Sequence, residues 1–227
     1  MMLQKNTYKF FLSLTISILM LPQTAFAQRK NIVVEQDTVP FFRGIAVSAD
    51  LVGPGMLLLG DYGQYEGALR INLRDRYFPI IEIGIGKADH KNDLTNIRYK
   101  TSAPYGRIGV DFNLMKNKHD DYRLYGGVRY AYTSWKYDVE HPGVVDPVWG
   151  DVVEYGGKDI KCNYHWAELL IGVDAKIWGP IRLGWSARYK SRIKHKNDEF
   201  GKAWYVPGYG KNGSKRLGGT FNVILEF

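Results

Sequence analysis

The chain of 227 residues carries a formal net charge of +8 and is long enough for one domain with a full core. Its 25 glycines and 16 tyrosines suit a fold of many short strands, and its single cysteine, Cys162, excludes an intramolecular disulfide. A basic balance can indicate nucleic-acid binding. Because the start of the chain predicts export, we expect anionic lipid headgroups as the partner and no nucleic acid.

Residues 1–27 have the pattern of a secretory signal peptide. Lys5 and Lys9 give a positive start, the apolar run Phe10–Leu21 follows, and Ala25-Phe26-Ala27 forms a small-x-small cleavage site. The run of twelve apolar residues is shorter than the roughly 20 that a membrane-spanning helix needs. We therefore expect cleavage after Ala27, with an uncleaved anchor helix as the alternative. Residues 28–40 are polar and predict a flexible periplasmic lead-in.

The remainder, residues 41–227, alternates apolar and polar residues with a period of two, which predicts strands. The loop Val52–Gln64 contains an apolar run, Met56–Leu59, expected to dip into lipid or fold over the rim. Connections are alternately long and short, as in outer-membrane barrels with long outer loops and short periplasmic turns. The sequence thus predicts an all-β fold, an eight-stranded antiparallel transmembrane β-barrel of meander topology with periplasmic termini. The predicted strands are 41–51, 65–74, 77–87, 105–114, 122–135, 163–177, 181–196 and 217–227.

A soluble eight-stranded barrel would alternate in the same way with its apolar face inward, but three features favour the membrane form. The polar face is rich in small residues such as Gly84, Gly109 and Gly127, which a narrow lumen requires. Aromatic residues gather near the strand ends, as in interfacial girdles. The polar face also carries mid-strand charges of both signs, and we expect them to pair because unpaired buried charges are costly. This predicted lumen network comprises Arg70, Glu82, Arg107, Asp111, Arg129, Glu168, Asp174 and Arg182.

The last strand, Leu217–Phe227, has an apolar face and an aromatic residue at its final position. It resembles the closing strand of an outer-membrane β-barrel, whose terminal residue looks like the tag read by the barrel-assembly machinery. The whole mature chain resembles the small OmpA/OmpX-type barrels of Gram-negative bacteria. The segments Gly60–Gly67 and Phe78–Gly84 look like those of an uncharacterised family of such barrels. The resemblance implies an outer-membrane location and Phe227 as the assembly signal, and it implies no activity.

The histidines predict no catalytic site. A lipid-deacylating barrel would carry a His-x-Ser pair on its outer face, and none of the five histidines begins one. His165 is expected at the lipid interface, and His195 with Asp198 is the nearest local candidate for a transferase-type cluster. We expect no catalytic residue, cofactor or metal. The alternative for metal is weak Ca²⁺ binding by acidic residues of one outer loop. These residues are Asp146, Asp151, Glu154 and Asp159.

Alternating cations follow the seventh predicted strand where it leaves the membrane. On strict alternation they share one side, and they face either the acidic neighbouring loop or the phosphates of lipopolysaccharide. A Lys or Arg near an anionic membrane surface contributes about 1 kcal/mol. The candidate lipopolysaccharide contacts are Arg188, Lys190, Arg192, Lys194, Lys196 and Lys202.

The expected function is that of a non-enzymatic outer-membrane barrel, structural or surface-interacting, with a plugged lumen. Two alternatives stay open at this point. One is a lipid-modifying barrel enzyme, and the other is an accessory subunit of an export or assembly complex.

Overall fold

A computed structural model describes residues 39–145, 148–153, 156–195 and 203–227. Within these residues, no helix is long and apolar enough to cross a membrane. Several sequence predictions fall outside the described residues. They are the signal peptide at 1–27, the lead-in up to residue 38, Asp146, Glu154, Lys196, Asp198 and Lys202.

The described residues build a closed wall of eight long strands. Each strand is antiparallel to its neighbours in the chain, and the last pairs with the first, so the sheet closes into a barrel. This confirms the predicted eight-stranded antiparallel meander. The strands are β1 Phe42–Asp50, β2 Tyr62–Leu73, β3 Tyr77–Lys91, β4 Arg98–Asn113, β5 Tyr122–Glu140, β6 Gly156–Trp178, β7 Ile181–His195 and β8 Lys215–Glu226.

The two faces of the wall are reversed relative to a water-soluble protein. On β3, Ile81 and Ile83 point outward and are 53% and 67% exposed, whereas Glu82 between them is 1% exposed. The same alternation recurs on β4, where Ile108 is exposed and Arg107 is buried. Successive strand residues point to opposite faces, so apolar side chains cover the outside and charged side chains fill the inside.

Four strands, β3 to β6, run at least four residues further at their outer ends than the sequence predicted. The ladder between β3 and β4 continues to the pair Lys91 and Arg98, and that between β4 and β5 to Arg98 and Glu140. The extension was missed because its outward residues are charged and its sequence reads as a loop. Ion pairs run along it, for example Arg98 with Asp89 at 2.7 Å.

The apolar run that was predicted as part of a loop is a helix, α1, spanning Val52–Leu59. Asp50 starts it, because its carboxylate accepts the Val52 N–H at 3.2 Å and the Gly53 N–H at 2.9 Å. These are donors that a helix start otherwise leaves unpaired. The helix exposes Leu58 and Leu59 almost fully, at 86% and 92%.

The seam between β1 and β8 depends on one glycine. The Phe227 N–H donates to the Ile45 carbonyl at 2.8 Å, and the Ile45 N–H donates back to the Phe227 carbonyl at 3.0 Å. Gly44 has a φ of +140° at a bulge beside this pair, and a Cβ there would collide with the Phe227 carbonyl oxygen. Glycine alone allows this approach, since it has no Cβ.

Candidate functional site

Glu82 is the centre of the charges inside the barrel. Its carboxylate accepts hydrogen bonds from Arg107 at 2.9 Å, from Arg188 at 2.8 Å and from Arg129 at 3.2 Å. Glu168 shares two of these partners, lying 3.0 Å from Arg107 Nε and 3.4 Å from Arg188 Nη1. All five side chains are at least 95% buried. Buried charges are tolerated when they are paired and hydrogen-bonded, and each of these has at least two opposite charges beside it.

Two further groups continue the network toward the end of the barrel that carries the short turns. Arg129 donates to Asp111 at 2.9 Å. Asp174 accepts from Arg70 at 3.1 Å and from Arg182 at 2.8 Å. The structure therefore brings all eight residues of the predicted lumen network inside the barrel, each in direct contact with an opposite charge of the set.

Three further charged residues belong to the same network, although the predicted set of eight did not include them. Glu66 lies 3.6 Å from Arg188 and also accepts from Arg107. Arg123 forms a double hydrogen bond to Glu226, with both distances at 2.9 Å. Their inward position on the alternating strands was the signal that could have found them. Beside the network, a cavity lined by Glu82, Arg129 and Arg188 has a volume of about 20 Å³, room for little more than one water molecule.

The mouth opposite the short turns is closed by a small hairpin, which we call the plug (residues 203–213). Tyr205–Val206 pairs with Gly210–Lys211. Pro207 and Gly208 occupy its turn, with the Tyr209 N–H donating to the Val206 carbonyl at 3.1 Å and Gly208 at φ +79°. Pro followed by Gly is the preferred centre of a type II turn, because the third turn position needs a positive φ.

The tip of the plug is bound directly to the charged interior. The Gly208 carbonyl accepts from Arg107 Nη2 and from Lys190 Nζ, each at 2.7 Å. Gly208 also packs on the Tyr105 ring. A Cβ at position 208 would lie only 2.5 Å from atoms of that ring. Since Arg107 binds both Glu82 and the plug, the mouth and the middle of the lumen form one connected structure.

Tyrosine hydroxyls fix the flanks of the plug. Tyr99 donates to the Tyr205 carbonyl at 2.7 Å, Tyr205 donates to the Gly63 carbonyl at 3.0 Å, and Tyr164 donates to the Gly213 carbonyl at 2.6 Å. Tyr205 and Tyr209 are each 1% exposed, within a buried cluster of aromatic residues from several strands. The sequence predicts this segment as part of an outer loop. Its Tyr-Val-Pro-Gly-Tyr run was the available signal for a buried turn.

The cations of β7 do not form one ridge. Arg188 and Lys190 point into the lumen and are 5% and 7% exposed, so their assignment to the outer rim is corrected. A bulge then breaks the alternation, because Arg192 lies opposite the buried Trp166, whereas Lys194 lies opposite His165. Of the candidate lipid contacts in the described chain, Lys194 is the cation on the outward face, and lipopolysaccharide contact stays a prediction for it.

Other outward cations, which sequence reasoning did not select, lie just beyond the apolar belt. Lys87 lies opposite Ser102, and Lys136 lies opposite Lys161 on the next strand pair. All three lysines are exposed. The Lys87 ammonium is 5.6 Å from the ring centre of Tyr65, at the upper edge of the belt. These lysines form a basic row across β3, β5 and β6.

The histidine expected at the lipid interface lies on the outward face. His165 Nδ1 is 2.7 Å from the Tyr130 hydroxyl, and its ring centre is 4.6 Å from that of Tyr132. Asp159, one of the acidic loop residues, is bound by Lys136 at 2.9 Å. Across the described ranges, no group of three or more His, Cys, Asp or Glu side chains is arranged to hold a metal ion.

The opposite end of the barrel carries Asp75, which is 2% exposed in the turn between β2 and β3. Asn72 donates to its carboxylate at 2.6 Å, and His119 Nδ1 lies 2.8 Å away. Burial raises the pKa of Asp75, but the hydrogen bonds from His119 and Asn72 and the charges of Arg43 and Arg123 outweigh burial. The net effect holds the pKa below its usual value.

The family model described as Domain of unknown function (DUF6048) matches residues 7–227. The chain belongs to this family. Among solved structures it is similar to Neisserial surface protein A (NspA), with 12% identity, a TM-score of 0.46, and coverage of 82% of this chain and 99% of that one. A major outer membrane protein from Thermus thermophilus is 13% identical, with a TM-score of 0.42 and coverage of 81% and 98%.

Ail, the attachment invasion locus protein of Yersinia pestis, is 10% identical, with a TM-score of 0.38 and coverage of 81% and 94%. That protein was crystallised in complex with the heparin analogue sucrose octasulfate. No curated protein matches the sequence.

Proposed function

We propose that this DUF6048 chain is an outer-membrane β-barrel protein, exported through a cleaved signal peptide, with a closed lumen and a structural or surface-interacting role. The apolar outer face supports the membrane location. Leu69, Ile81, Ile108, Leu169 and Ile171, from four different strands, are each at least 46% exposed. A belt of this kind is costly in water, and in hydrocarbon a barrel pairs the backbone groups of neighbouring strands with one another.

Aromatic residues and turn lengths support an orientation. Tyr77 and Phe112 pack edge to face at 5.9 Å near the end of the short turns, and Tyr65 and Tyr132 are exposed near the other end. Two aromatic girdles flank the apolar band of outer-membrane barrels, whose short turns face the periplasm. On this orientation the plug, α1 and the extended strands face the cell exterior.

The observation that carries the proposal of a closed lumen is the connection from Glu82 through Arg107 to the plug. Charged side chains fill the interior, and the plug closes the outer mouth. An eight-stranded barrel has an interior just wide enough for side chains. We expect the side chains and the plug of the described chain to block steady ion flow, so the proposed role lies in the wall and the outer surface.

Two measurements test this proposal together. Unboiled protein in mild SDS should migrate differently from boiled protein, and purified monomer in planar bilayers should show no large steady conductance. A variant with residues 203–213 replaced by a Gly-Ser linker keeps the Glu82 network and should also stay closed. A water-soluble monomer with unchanged migration would contradict the membrane location. Steady, ion-selective conductance of the wild type would contradict the closed lumen.

The proposed surface partner is lipopolysaccharide, held by the basic row of Lys87, Lys136 and Lys161 together with Lys194. These cations lie just beyond the apolar belt, where the phosphates of the outer leaflet would lie. Replacing all four by Glu should weaken lipopolysaccharide co-purification, and Lys116→Glu in a short turn is the control at the opposite end. Equal retention by both proteins would reject these contacts. Chemically altered lipid A after incubation with the protein would support the enzymatic alternative instead.

A further inference from the structure

The barrel wall is incomplete at the outer end of its seam. β1 pairs with β8 only from Ala46 to Asp50, and the Leu51 N–H makes the last bond, to the Phe221 carbonyl at 2.8 Å. The chain then turns into α1 and leaves the sheet, whereas β8 continues outward to Lys215. Among the described residues, the outer part of β8 therefore has β7 on one side and no strand on the other.

Within the apolar belt, two residues of β8 expose backbone groups at this edge. In an antiparallel ladder, alternate residues direct their N–H and C=O toward alternate neighbours. Phe221 bonds toward β1, so Leu217 and Gly219 face the same side, and no described residue pairs with them there. They lie opposite Tyr189 and Ala187 of β7, within the apolar belt. Open sheet edges do not persist in hydrocarbon, so these groups need a partner.

The gap has a defined frame, and we call it the lateral opening. At its lower end, the Asp50 carboxylate accepts the Phe221 N–H at 3.1 Å. At its upper end, Arg216 on β8 reaches across to the Tyr62 hydroxyl on β2 at 3.2 Å. Helix α1 forms the far side, packed on β2 at Gly63, where a Cβ would lie 2.5 Å from the Gly53 carbonyl oxygen.

A cavity of about 360 Å³ lies behind the lateral opening, between β8, α1 and the plug. Its entrance is apolar, with Met56, Trp185 and Leu217 at 37%, 60% and 77% exposure. Lys190 lies beneath Gly218 and makes the floor of the cavity cationic. A Cβ at Gly218 would lie only 3.9 Å from the Lys190 ammonium nitrogen. Gly218 places no side chain between the wall and Lys190, whose ammonium also donates to the Gly208 carbonyl at 2.7 Å.

We propose that the lateral opening binds a phosphate-bearing, acylated lipid of the outer leaflet, an inference that rests on the membrane location proposed above. An acyl chain lies against Met56, Trp185 and Leu217. Ester or phosphate oxygens accept hydrogen bonds from the free N–H groups of the edge and from Lys190. A partner strand explains the site less well for two reasons. The open edge within the apolar belt is only two residues long, at alternate positions. A paired strand would also make no contact that requires the buried cation behind the edge.

Native mass spectrometry of delipidated protein tests the proposal with three probes. They are dimyristoyl phosphatidylglycerol, purified lipid A, and dimyristoyl glycerol, which lacks the phosphate. The wild type should retain one phosphate-bearing lipid, and whichever of the first two is retained identifies its source. Gly218→Leu places a side chain in the cavity and should reduce the bound fraction at least fivefold. Gly106→Leu on β4, with no atom within 4 Å of its Cβ position, is the matched control and should bind like wild type.

A second variant keeps the test decisive if Gly218→Leu fails to fold, which the heat-dependent migration in SDS reveals. Lys190→Gln should weaken binding of the phosphate-bearing lipids at least fivefold and leave binding of dimyristoyl glycerol unchanged. Equal retention by wild type and both variants would overturn the proposal, as would equal affinity for all three probes. A lipid-free dimer would favour a partner strand instead. Loss of heat-dependent migration in the wild type would point to failure of the membrane location itself.

Discussion

Replacing Glu82 by Gln tests whether the charge network stabilises the barrel. Gln keeps the shape and removes the negative charge that three guanidinium groups share, those of Arg107, Arg129 and Arg188. Breaking a buried ion pair by removing one partner costs about 3–5 kcal/mol. Each arginine keeps another carboxylate nearby, with Glu168 3.0 Å from Arg107 and 3.4 Å from Arg188. We therefore expect the lower end of that range, about 3 kcal/mol.

The assay is urea unfolding of the barrel folded into lipid vesicles, followed by tryptophan fluorescence and by the heat-resistant band in SDS. Asp89→Asn is the matched control, since it removes a carboxylate that binds Arg98 at 2.7 Å with both side chains 47% exposed. An exposed pair contributes about 0–1 kcal/mol. If Glu82→Gln and Asp89→Asn change the free energy of unfolding equally, within about 0.5 kcal/mol, the network does not contribute as the geometry implies.

Three further predictions concern the end of the barrel that carries the short turns. Gly44→Ala forces a side chain toward the Phe227 carbonyl at a positive φ. This change should lower the free energy of unfolding by about 1–3 kcal/mol. Gly55→Ala, with open space around it, should leave that free energy unchanged. The lowered pKa of Asp75 stabilises the folded barrel above pH about 4, and this stabilisation is lost as the pH falls through the pKa that Asp75 has in the folded protein. Asp75→Asn should therefore flatten the acid side of a plot of stability against pH. Phe227→Ala should reduce assembly in cells while leaving the refolded protein's stability in vesicles within about 1 kcal/mol, and normal assembly would reject its role as a signal.

The wall could be predicted from the sequence because a period of two assigns every strand residue to a face. Glu82 between Ile81 and Ile83 can only point inward once the isoleucines face lipid, and its partners follow from the same alternation. The extended strands were missed for a related reason. Beyond the apolar belt, water contacts the outer face, so outward residues such as Lys100 and Asp138 are polar. The contrast between apolar outward and polar inward residues, on which the strand prediction depends, is lost there.

The plug and the bulge could not be predicted because each depends on contacts between distant segments. Gly208 and Tyr205 are placed by Arg107 and Tyr99, which lie about a hundred positions earlier in the chain, and no local pattern encodes that proximity. The single extra residue near Ile193 reverses the direction of every later side chain in β7. Strict alternation therefore assigned Lys194 and Arg192 to one face.

The seam has a consequence for the order in which the molecule folds. Neighbouring hairpins such as β2–β3 join residues that are close in the chain, and such contacts form quickly because little chain entropy is lost. The hydrogen-bonded pair of Ile45 and Phe227 joins the first and last strands of the barrel. The ladder between these two strands is the shortest in the ring. We therefore expect the barrel to close there last. A curved, half-assembled sheet with both of these edges unsatisfied is the species that any assembly machinery would have to hold.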